Sequence, residues 1–274
     1  MPYITLQNYR LFYATHEPVP RPSTPPLVLV HGAGGTHLHW PPEIRRLPEM
    51  TVYALDLPGH GRSEGRGCRS IATYRDIILQ WADTVGLSQF VLAGHSMGGA
   101  IAQELALTFP HRLRGLILVA TGARLKVHPQ ILQGLERTPE ATARLLAEWA
   151  YGERPPHNLL RLYVRRLLEI PPEVTLGDFL ACDAWDRMDD IHRIEVPTLI
   201  VAGEADKLTP PKYARYLQER IPCSQLVLVP KAGHMVMLEA PTVVAHAISD
   251  FIHGLPLERG AFGFSPRKQG RGEE

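Results

Sequence analysis

The feature that most restricts the fold is a glycine-rich turn, Gly94-His95-Ser96-Met97-Gly98-Gly99, between a strand pattern and a helical pattern. The apolar run 90–93 before it has the length of a buried strand, and residues 100–106 after it form a helical pattern. Glycine at positions 94 and 98 avoids side-chain collisions in so sharp a reversal. Such a turn holds its serine in a strained conformation with the hydroxyl exposed, and the following helix N-terminus favours negative charge there. Ser96 is therefore the candidate nucleophile.

Short apolar runs alternate with helical patterns along most of the chain. Runs of this length, bounded by Gly, Pro or charge, are typical of parallel strands buried on both faces. The alternation predicts an α/β fold with a mostly parallel, doubly wound sheet covered by helices, preceded by a hairpin over 3–6 and 10–14. The apolar runs are 27–30, 52–55, 90–93, 116–119, 198–201 and 226–229, and the helical patterns are 71–85, 100–109, 211–220 and 242–253.

The alternation stops between residues 122 and 193, where the strand pattern is absent. We interpret 122–193 as a helical cap inserted into a core domain of 1–121 and 194–256, and 257–274 as a flexible C-terminal tail. The helical patterns of this cap are 129–135, 140–151, 158–168 and 176–185. A cap over the site needs an apolar underside, so some of its apolar residues are expected to line the substrate pocket. The candidates are Leu145, Leu146, Trp149, Leu159, Leu160, Tyr163 and Leu167.

A serine hydroxyl needs a general base, and the base needs a carboxylate that holds its tautomer. His234 follows a buried strand on a short glycine-containing loop, which brings it to the carboxyl edge of the sheet. The loop after the run 198–201 offers two acids, Glu204 and Asp206, and the residues by themselves leave this choice open. The histidines beside other motifs are interpreted as structural, namely His31, His60 and His95.

Five motifs along the chain form one set. They are His31-Gly32-Ala33-Gly34-Gly35, Asp56-Leu57-Pro58-Gly59-His60-Gly61-Arg62-Ser63, Gly94-His95-Ser96-Met97-Gly98-Gly99, Gly203-x-x-Asp206-x-x-x-Pro210, and Gly233-His234 followed by Glu239-Ala240-Pro241. In these five motifs the chain resembles the α/β-hydrolase fold superfamily, and the resemblance extends from the first strand to about residue 255. The resemblance implies Asp206 as the acid of a Ser–Asp–His order. It also implies an oxyanion hole made of the backbone amides of Met97 and Ala33.

A serine triad with an oxyanion hole transfers acyl groups to water, so we expect hydrolysis of a small-molecule carboxylic ester. The predicted cap is short and has an apolar underside, which favours a short to medium acyl chain. Neither a metal-ligand cluster nor a nucleotide loop is evident in the sequence, so no cofactor is expected. The segment around Ser96 is similar to those of bacterial carboxylesterases and monoacylglycerol lipases. Lactonases, amidases, carbon–carbon bond hydrolases and perhydrolases use the same triad and stay open, although the carbon–carbon hydrolases often have asparagine where this chain has His95. Members that open epoxides or remove halide ions use aspartate in place of the serine, so those reactions are not expected. A non-catalytic ligand-binding protein on this fold is the alternative from another class.

Composition excludes several other classes of function. The net charge of +1 at pH 7 gives no reason to expect a nucleic acid or an anionic membrane as partner. No apolar run approaches the roughly 20 residues of a membrane span, and the N-terminus lacks the pattern of a secretory signal. The three cysteines are scattered and outside metal-ligand spacing, which suits a reducing compartment. We expect a cytoplasmic protein without a metal, and the oligomeric state stays open.

Overall fold

A mostly parallel sheet forms the centre of the computed structural model, which describes residues 2–6, 9–20, 22–153 and 155–256. The strands are β1 (Tyr3–Leu6), β2 (Tyr9–His16), β3 (Leu27–Val30), β4 (Val52–Leu55), β5 (Phe90–His95), β6 (Leu113–Val119), β7 (Thr198–Gly203) and β8 (Ser224–Val229). Across the sheet their order in the described residues is β1-β2-β4-β3-β5-β6-β7-β8. β2 pairs antiparallel with both β1 and β4, and the other neighbours are parallel. The predicted fold class is confirmed.

Helices cover both faces of the sheet because successive residues of a strand point to opposite sides. They are α1 (Pro42–Arg45), α2 (Ile71–Thr84), α3 (Met97–Thr108), α4 (Pro129–Arg137), α5 (Pro139–Ala150), α6 (His157–Leu168), α7 (Pro172–Ala184), α8 (Pro211–Arg220), α9 (Val236–Glu239) and α10 (Pro241–His253). α2, α3 and α8 pack on the face that carries Val28 and Leu92. α1, α9 and α10 pack on the opposite face, which carries Leu27 and Val91. The sheet core is therefore apolar on both sides, as the continuous apolar runs predict.

Proline marks the beginning of many of these helices. In the described parts of the chain, α1, α4, α5, α7, α8 and α10 all begin at a proline. At this position the fixed φ of proline suits the helix, and its missing N–H is not needed. The sequence pattern treats Pro171-Pro172 as a break and predicts the last cap helix over 176–185, whereas α7 begins at Pro172. The break therefore lies before Pro172, which is already helical.

Helices α4 to α7 lie between β6 and β7, in the part of the chain that the sequence interprets as a cap. α4, α5 and α6 pack on one another through a small apolar cluster of Ile131, Leu135, Ala143, Leu146 and Leu167, and Leu176 and Phe179 of α7 pack against it. The division into a core of 1–121 and 194–256 and a cap of 122–193 stays a prediction. The tail predicted over 257–274 lies outside the described residues.

Three expectations from composition can be compared with the structure. Cys68, Cys182 and Cys223 are all free thiols. Over the ranges that the structure describes, no helix combines the length and the apolar character that crossing a bilayer requires. In the same ranges, His, Cys, Asp and Glu side chains form no group of three that could hold a metal ion. The cytoplasmic location stays a prediction.

The carboxylate of Glu239 ties the end of α5 to the loop that follows β8. Its Oε2 accepts the N–H of Gly152 at 2.9 Å, and its Oε1 accepts the N–H of Gly233 at 2.8 Å. The N–H of Met235 donates to the carbonyl of Ala150 at 2.9 Å alongside. A Cβ atom at Gly233 would lie 2.4 Å from the nitrogen of Gly152, so the two backbones are in direct contact. The cap segment is thus fixed to the loop that carries His234.

We predict that Glu239→Ala destabilises the protein, because it leaves the buried N–H groups of Gly152 and Gly233 without their acceptor. An unpaired buried donor costs about 1–3 kcal/mol, so the free energy of unfolding should fall by about 2 kcal/mol or more. Urea unfolding followed by tryptophan fluorescence measures this. Glu219→Ala, at an exposed position of α8, is the control and should change the free energy by less than about 0.5 kcal/mol. Equal unfolding midpoints for the two variants would contradict the assignment.

Candidate active site

Ser96 occupies a strained turn between β5 and α3. Its backbone has φ 52° and ψ −115°, a conformation that residues other than glycine rarely adopt. The turn is tight because a Cβ atom at Gly94 would lie 2.0 Å from the carbonyl oxygen of Gly98, and one at Gly98 would lie 2.4 Å from that of Val30. The N–H of Ser96 donates to the carbonyl of Val119 on the neighbouring strand at 2.9 Å. Close packing and this bond hold the serine at the carboxyl edge of the sheet.

Asp206 and His234 meet at the same edge. The Nδ1 of His234 donates to the Oδ2 of Asp206 at 2.9 Å, and both side chains are buried. The other carboxylate oxygen, Oδ1, accepts the N–H groups of Leu208 and Thr209 at 2.8 and 2.9 Å. The side chain of Glu204, the second acid in this loop, is exposed to solvent. The structure therefore brings Asp206, and not Glu204, to His234.

This environment keeps Asp206 charged and fixes the tautomer of His234. Burial acts to raise the pKa of Asp206, but the facing His234 ring and the hydrogen bonds from His234 and Thr209 outweigh it and lower that pKa below its ordinary value. A charged carboxylate accepts hydrogen bonds only, so the Nδ1 of His234 carries a proton. The Nε2 of the neutral ring is then free to accept a proton from another group.

Ser96 and His234 line one cavity of about 470 Å³. Its walls include Gly32 and Ala33 from the loop after β3, and apolar and aromatic side chains from the cap segment. Of the cap residues that the sequence offers as candidates, Trp149 and Tyr163 line this cavity. Leu146 and Leu167 instead pack inside the cap segment. The remaining lining side chains are His39, His95, Leu125, Lys126, Val127, His128, Ile131, Phe179, Cys182, Lys207, Leu208, Thr209, Tyr213 and Met235.

Two backbone segments that the resemblance assigns to an oxyanion hole lie beside Ser96. Met97 is the first residue of α3, where a backbone N–H has no acceptor within the helix. Ala33 lies in a turn closed by the N–H of Gly35, which donates to the carbonyl of Gly32 at 3.0 Å. Gly32 approaches the serine so closely that a Cβ atom there would lie 3.1 Å from the Cβ of Ser96. Both segments thus lie next to the serine.

His95 has a structural contact to the loop of His234. Its Nε2 donates to the backbone carbonyl of His234 at 3.0 Å, and the two rings are 4.8 Å apart. Burial lowers the pKa of His95 well below its ordinary value, and the nearby His234 acts in the same direction. A neutral His95 that holds the backbone of its neighbour agrees with the structural interpretation, and its ring also lines the cavity.

Two residues in the site received no role from sequence reasoning. The hydroxyl of Thr209 donates to the Oδ2 of Asp206 at 2.7 Å and lies 3.1 Å from the Nδ1 of His234. Glu239 holds the loop of His234 through Gly233, as described above. The sequence signal for each was its place in a motif, Thr209 directly before Pro210 and Glu239 five residues after His234. A motif position does not by itself say which groups a side chain contacts.

Comparison with known proteins identifies the family of this chain. A family model described as the alpha/beta hydrolase family matches residues 27–247. The chain is similar to the pimeloyl-[acyl-carrier protein] methyl ester esterase of Yersinia enterocolitica, 30% identical over 241 residues that cover 82% of this chain and 92% of the relative. It is also similar to the solved structure of a thermophilic esterase, with 33% identity and a TM-score of 0.79 over 92% of this chain and 96% of that one. The enol-lactonase of Burkholderia xenovorans, 22% identical with a TM-score of 0.84 over 92% of this chain and 100% of that one, shares the fold. The chain belongs to the α/β hydrolase family, and the recognition made from its motifs is confirmed.

Proposed function

We propose that this protein is a serine esterase that hydrolyses carboxylic esters of short to medium acyl chain. The observation that supports this most is that Ser96, in its strained turn, and His234, hydrogen-bonded to Asp206, line one cavity. The names of the similar esterases described above also support an ester as substrate.

In the first half of the reaction, the hydroxyl oxygen of Ser96 attacks the carbonyl carbon of the ester. The Nε2 of His234 takes the hydroxyl proton, and Asp206 stabilises the imidazolium that forms. The carbonyl π electrons move to its oxygen, which becomes the oxyanion of a tetrahedral intermediate. When the intermediate collapses, the bond to the alkoxy oxygen breaks, and His234 gives its proton to the departing alcohol. The product of this half is an acyl ester on Ser96.

In the second half, water replaces the alcohol and the same groups act in reverse. His234 takes a proton from the water, whose oxygen attacks the acyl carbon and forms a second tetrahedral intermediate. Its collapse breaks the bond to Ser96, the serine oxygen regains the proton from His234, and the carboxylic acid leaves. The backbone N–H groups of Ala33 and Met97 stabilise both oxyanions, and a single donor of this kind contributes about 10²–10³ in rate.

The cavity offers apolar surface to an acyl chain of limited length. Trp149, Tyr163 and Phe179 supply aromatic surface, and Leu125 and Ile131 supply aliphatic surface. Each methylene that such a surface removes from water contributes about 0.8 kcal/mol. A volume of about 470 Å³ lies at the lower end of the range for small-molecule pockets, roughly 300–1,000 Å³. We therefore expect the preference to rise with chain length and then to fall once the chain outgrows the cavity.

Substitution of the three polar residues tests whether they form a catalytic triad. Ser96→Ala, His234→Ala and Asp206→Asn should each lower kcat for an aryl ester by about 10⁴-fold or more, while circular dichroism shows folded protein. Because the three act as a unit, the double variants should be scarcely worse than the worst single one. Glu204→Gln is the matched control and should keep wild-type activity. If Asp206→Asn kept more than about a tenth of the activity, the assignment of the acid would be wrong.

A series of esters of increasing chain length tests the size limit of the cavity. Against a series of p-nitrophenyl esters from C2 to C16, kcat/KM should be highest at about C4 to C8, with little activity on emulsified long-chain triglycerides. Trp149→Ala enlarges the cavity and should move the optimum to longer chains, whereas Leu162→Ala, at an exposed position of α6, should leave it unchanged. Lactones, amides and methyl esters are measured in the same panel, and their kcat/KM values show which of these bonds the protein hydrolyses best. A long-chain optimum with interfacial activation would refute the size limit.

A further inference from the structure

A buried carboxylate of the cap segment contacts the loop that the proposed mechanism uses for the oxyanion. Asp178 lies on α7, and its side chain is fully buried. Its Oδ2 accepts the N–H of Gly34 at 2.9 Å and the Nε2–H of His60 at 2.8 Å. Its Oδ1 accepts the hydroxyl of Tyr74 at 2.5 Å. A single side chain of the cap segment therefore joins three separate parts of the core.

The charge of Asp178 is balanced inside the protein by His60. The Nδ1 of His60 lies 3.0 Å from the carbonyl of Pro58, and its Nε2 faces the carboxylate, so both ring nitrogens face acceptors. Both must then carry hydrogens, which makes His60 an imidazolium. Burial acts to lower the pKa of His60, but Asp178 outweighs it and raises that pKa above its ordinary value. His60 and Asp178 therefore form a buried ion pair. Because the carboxylate of Asp178 is charged, it is a strong acceptor for the N–H of Gly34.

The bond to Gly34 fixes one of the two peptide groups that flank Ala33. The other is the peptide between Gly32 and Ala33, whose carbonyl accepts the N–H of Gly35 at 3.0 Å and the Nδ1–H of His31 at 2.8 Å. In a trans peptide the carbonyl and the following N–H point in opposite directions, so these bonds also set the direction of the N–H of Ala33. With Asp178 holding the next peptide, neither side of Ala33 can rotate freely.

We propose that Asp178 is a positioning residue that holds the oxyanion loop, residues 32–35, in its reactive geometry, and that the cap segment thereby controls stabilisation of the transition state. The proposal rests on the proposed function, because the N–H of Ala33 has this role only in a reaction that passes through an oxyanion. Packing supports it: a Cβ atom at Gly34 would lie 2.2 Å from the side chain of Leu167 and 3.3 Å from that of Thr175, so α6 and α7 lie directly on the loop. Asp178 is not among the residues that line the substrate cavity, so it does not contact a substrate there.

The test separates positioning of the loop from simple anchoring of the cap. Asp178→Ala removes all three contacts, and Asp178→Asn removes the charge. Tyr74→Phe removes a hydrogen bond to the same carboxylate without touching Gly34, so it is the matched control.

For each purified variant we would measure kcat and KM per active site, the inhibition constant of an aryl boronic acid, and the inhibition constant of an ether with the carbon skeleton of the substrate. The boronic acid forms a tetrahedral adduct on Ser96 that places an oxygen in the oxyanion hole, and the ether has no such oxygen.

We expect Asp178→Ala to lower kcat by about 10²-fold and to weaken boronic acid binding by a similar factor, since this is the cost of one misplaced oxyanion donor. Ether binding and KM should change little. Asp178→Asn should show the same pattern at about fivefold, because hydrogen bonds to an ionised acceptor are roughly twice as strong as neutral ones. Tyr74→Phe should lower Tm but keep kcat and boronic acid binding within about twofold, since it leaves every contact of the oxyanion loop in place.

Two outcomes would overturn the proposal while the proposed function stands. One is a folded Asp178→Ala with wild-type kcat and boronic acid binding. The other outcome is that Asp178→Asn has the same kinetic constants as Tyr74→Phe. This comparison decides the question if the alanine variant does not fold. The proposed function fails separately, if the wild-type protein neither hydrolyses esters nor binds the boronic acid, or if Ser96→Ala does both.

Discussion

The contact between the turn after β5 and the neighbouring strand β3 is the constraint on which the site depends. Helix α3 can begin so close to the sheet because position 98 lacks a side chain, and a Cβ atom there would collide with the carbonyl of Val30. This close approach of α3 to the sheet forces Ser96 into a positive φ. It also directs the N-terminus of α3 toward the serine. The loop after β3, which carries Ala33, then lies beside the serine, and Gly32 in that loop approaches it closely. Without this contact, the two amides and the serine would not share one edge of the sheet.

The cap segment is bonded to the core through buried or half-buried carboxylates, in addition to apolar packing. Asp178 accepts the N–H of Gly34 in the loop after β3. Glu239 accepts the N–H of Gly152 in the cap segment together with that of Gly233 beside His234. On the far side, Glu104 of α3 accepts hydrogen bonds from Trp185 at 3.1 Å and from Arg187 at 2.9 Å, just beyond α7. Removing one partner of such a contact leaves a buried polar group unsatisfied, which costs more than the bond itself contributes. The cap segment is therefore tied at defined points to the loops that carry the chemistry.

The sequence predicted the parallel sheet well because its strands are short apolar runs with clear boundaries, and all six runs of the parallel part lie in strands. It could not choose between Glu204 and Asp206 from the residues alone, since both follow β7 and only the course of the loop decides which carboxylate turns toward His234. It predicted an apolar underside of the cap, yet it could not separate Trp149, which lines the cavity, from Leu146, which packs between helices. The bond between Gly34 and Asp178 joins residues 144 positions apart, and no local pattern predicts such a pair.

The central claim is that Ser96 is a nucleophile activated by His234, and covalent labelling tests it most directly. A fluorophosphonate reacts with an activated serine, and intact-protein mass spectrometry counts the adducts. We predict one adduct per folded chain, mapped by proteolysis to Ser96, absent from Ser96→Ala and at least about 10³-fold slower to form in His234→Ala. Folded wild-type protein that stays unlabelled, or that carries the adduct on another residue, would contradict this account of the site.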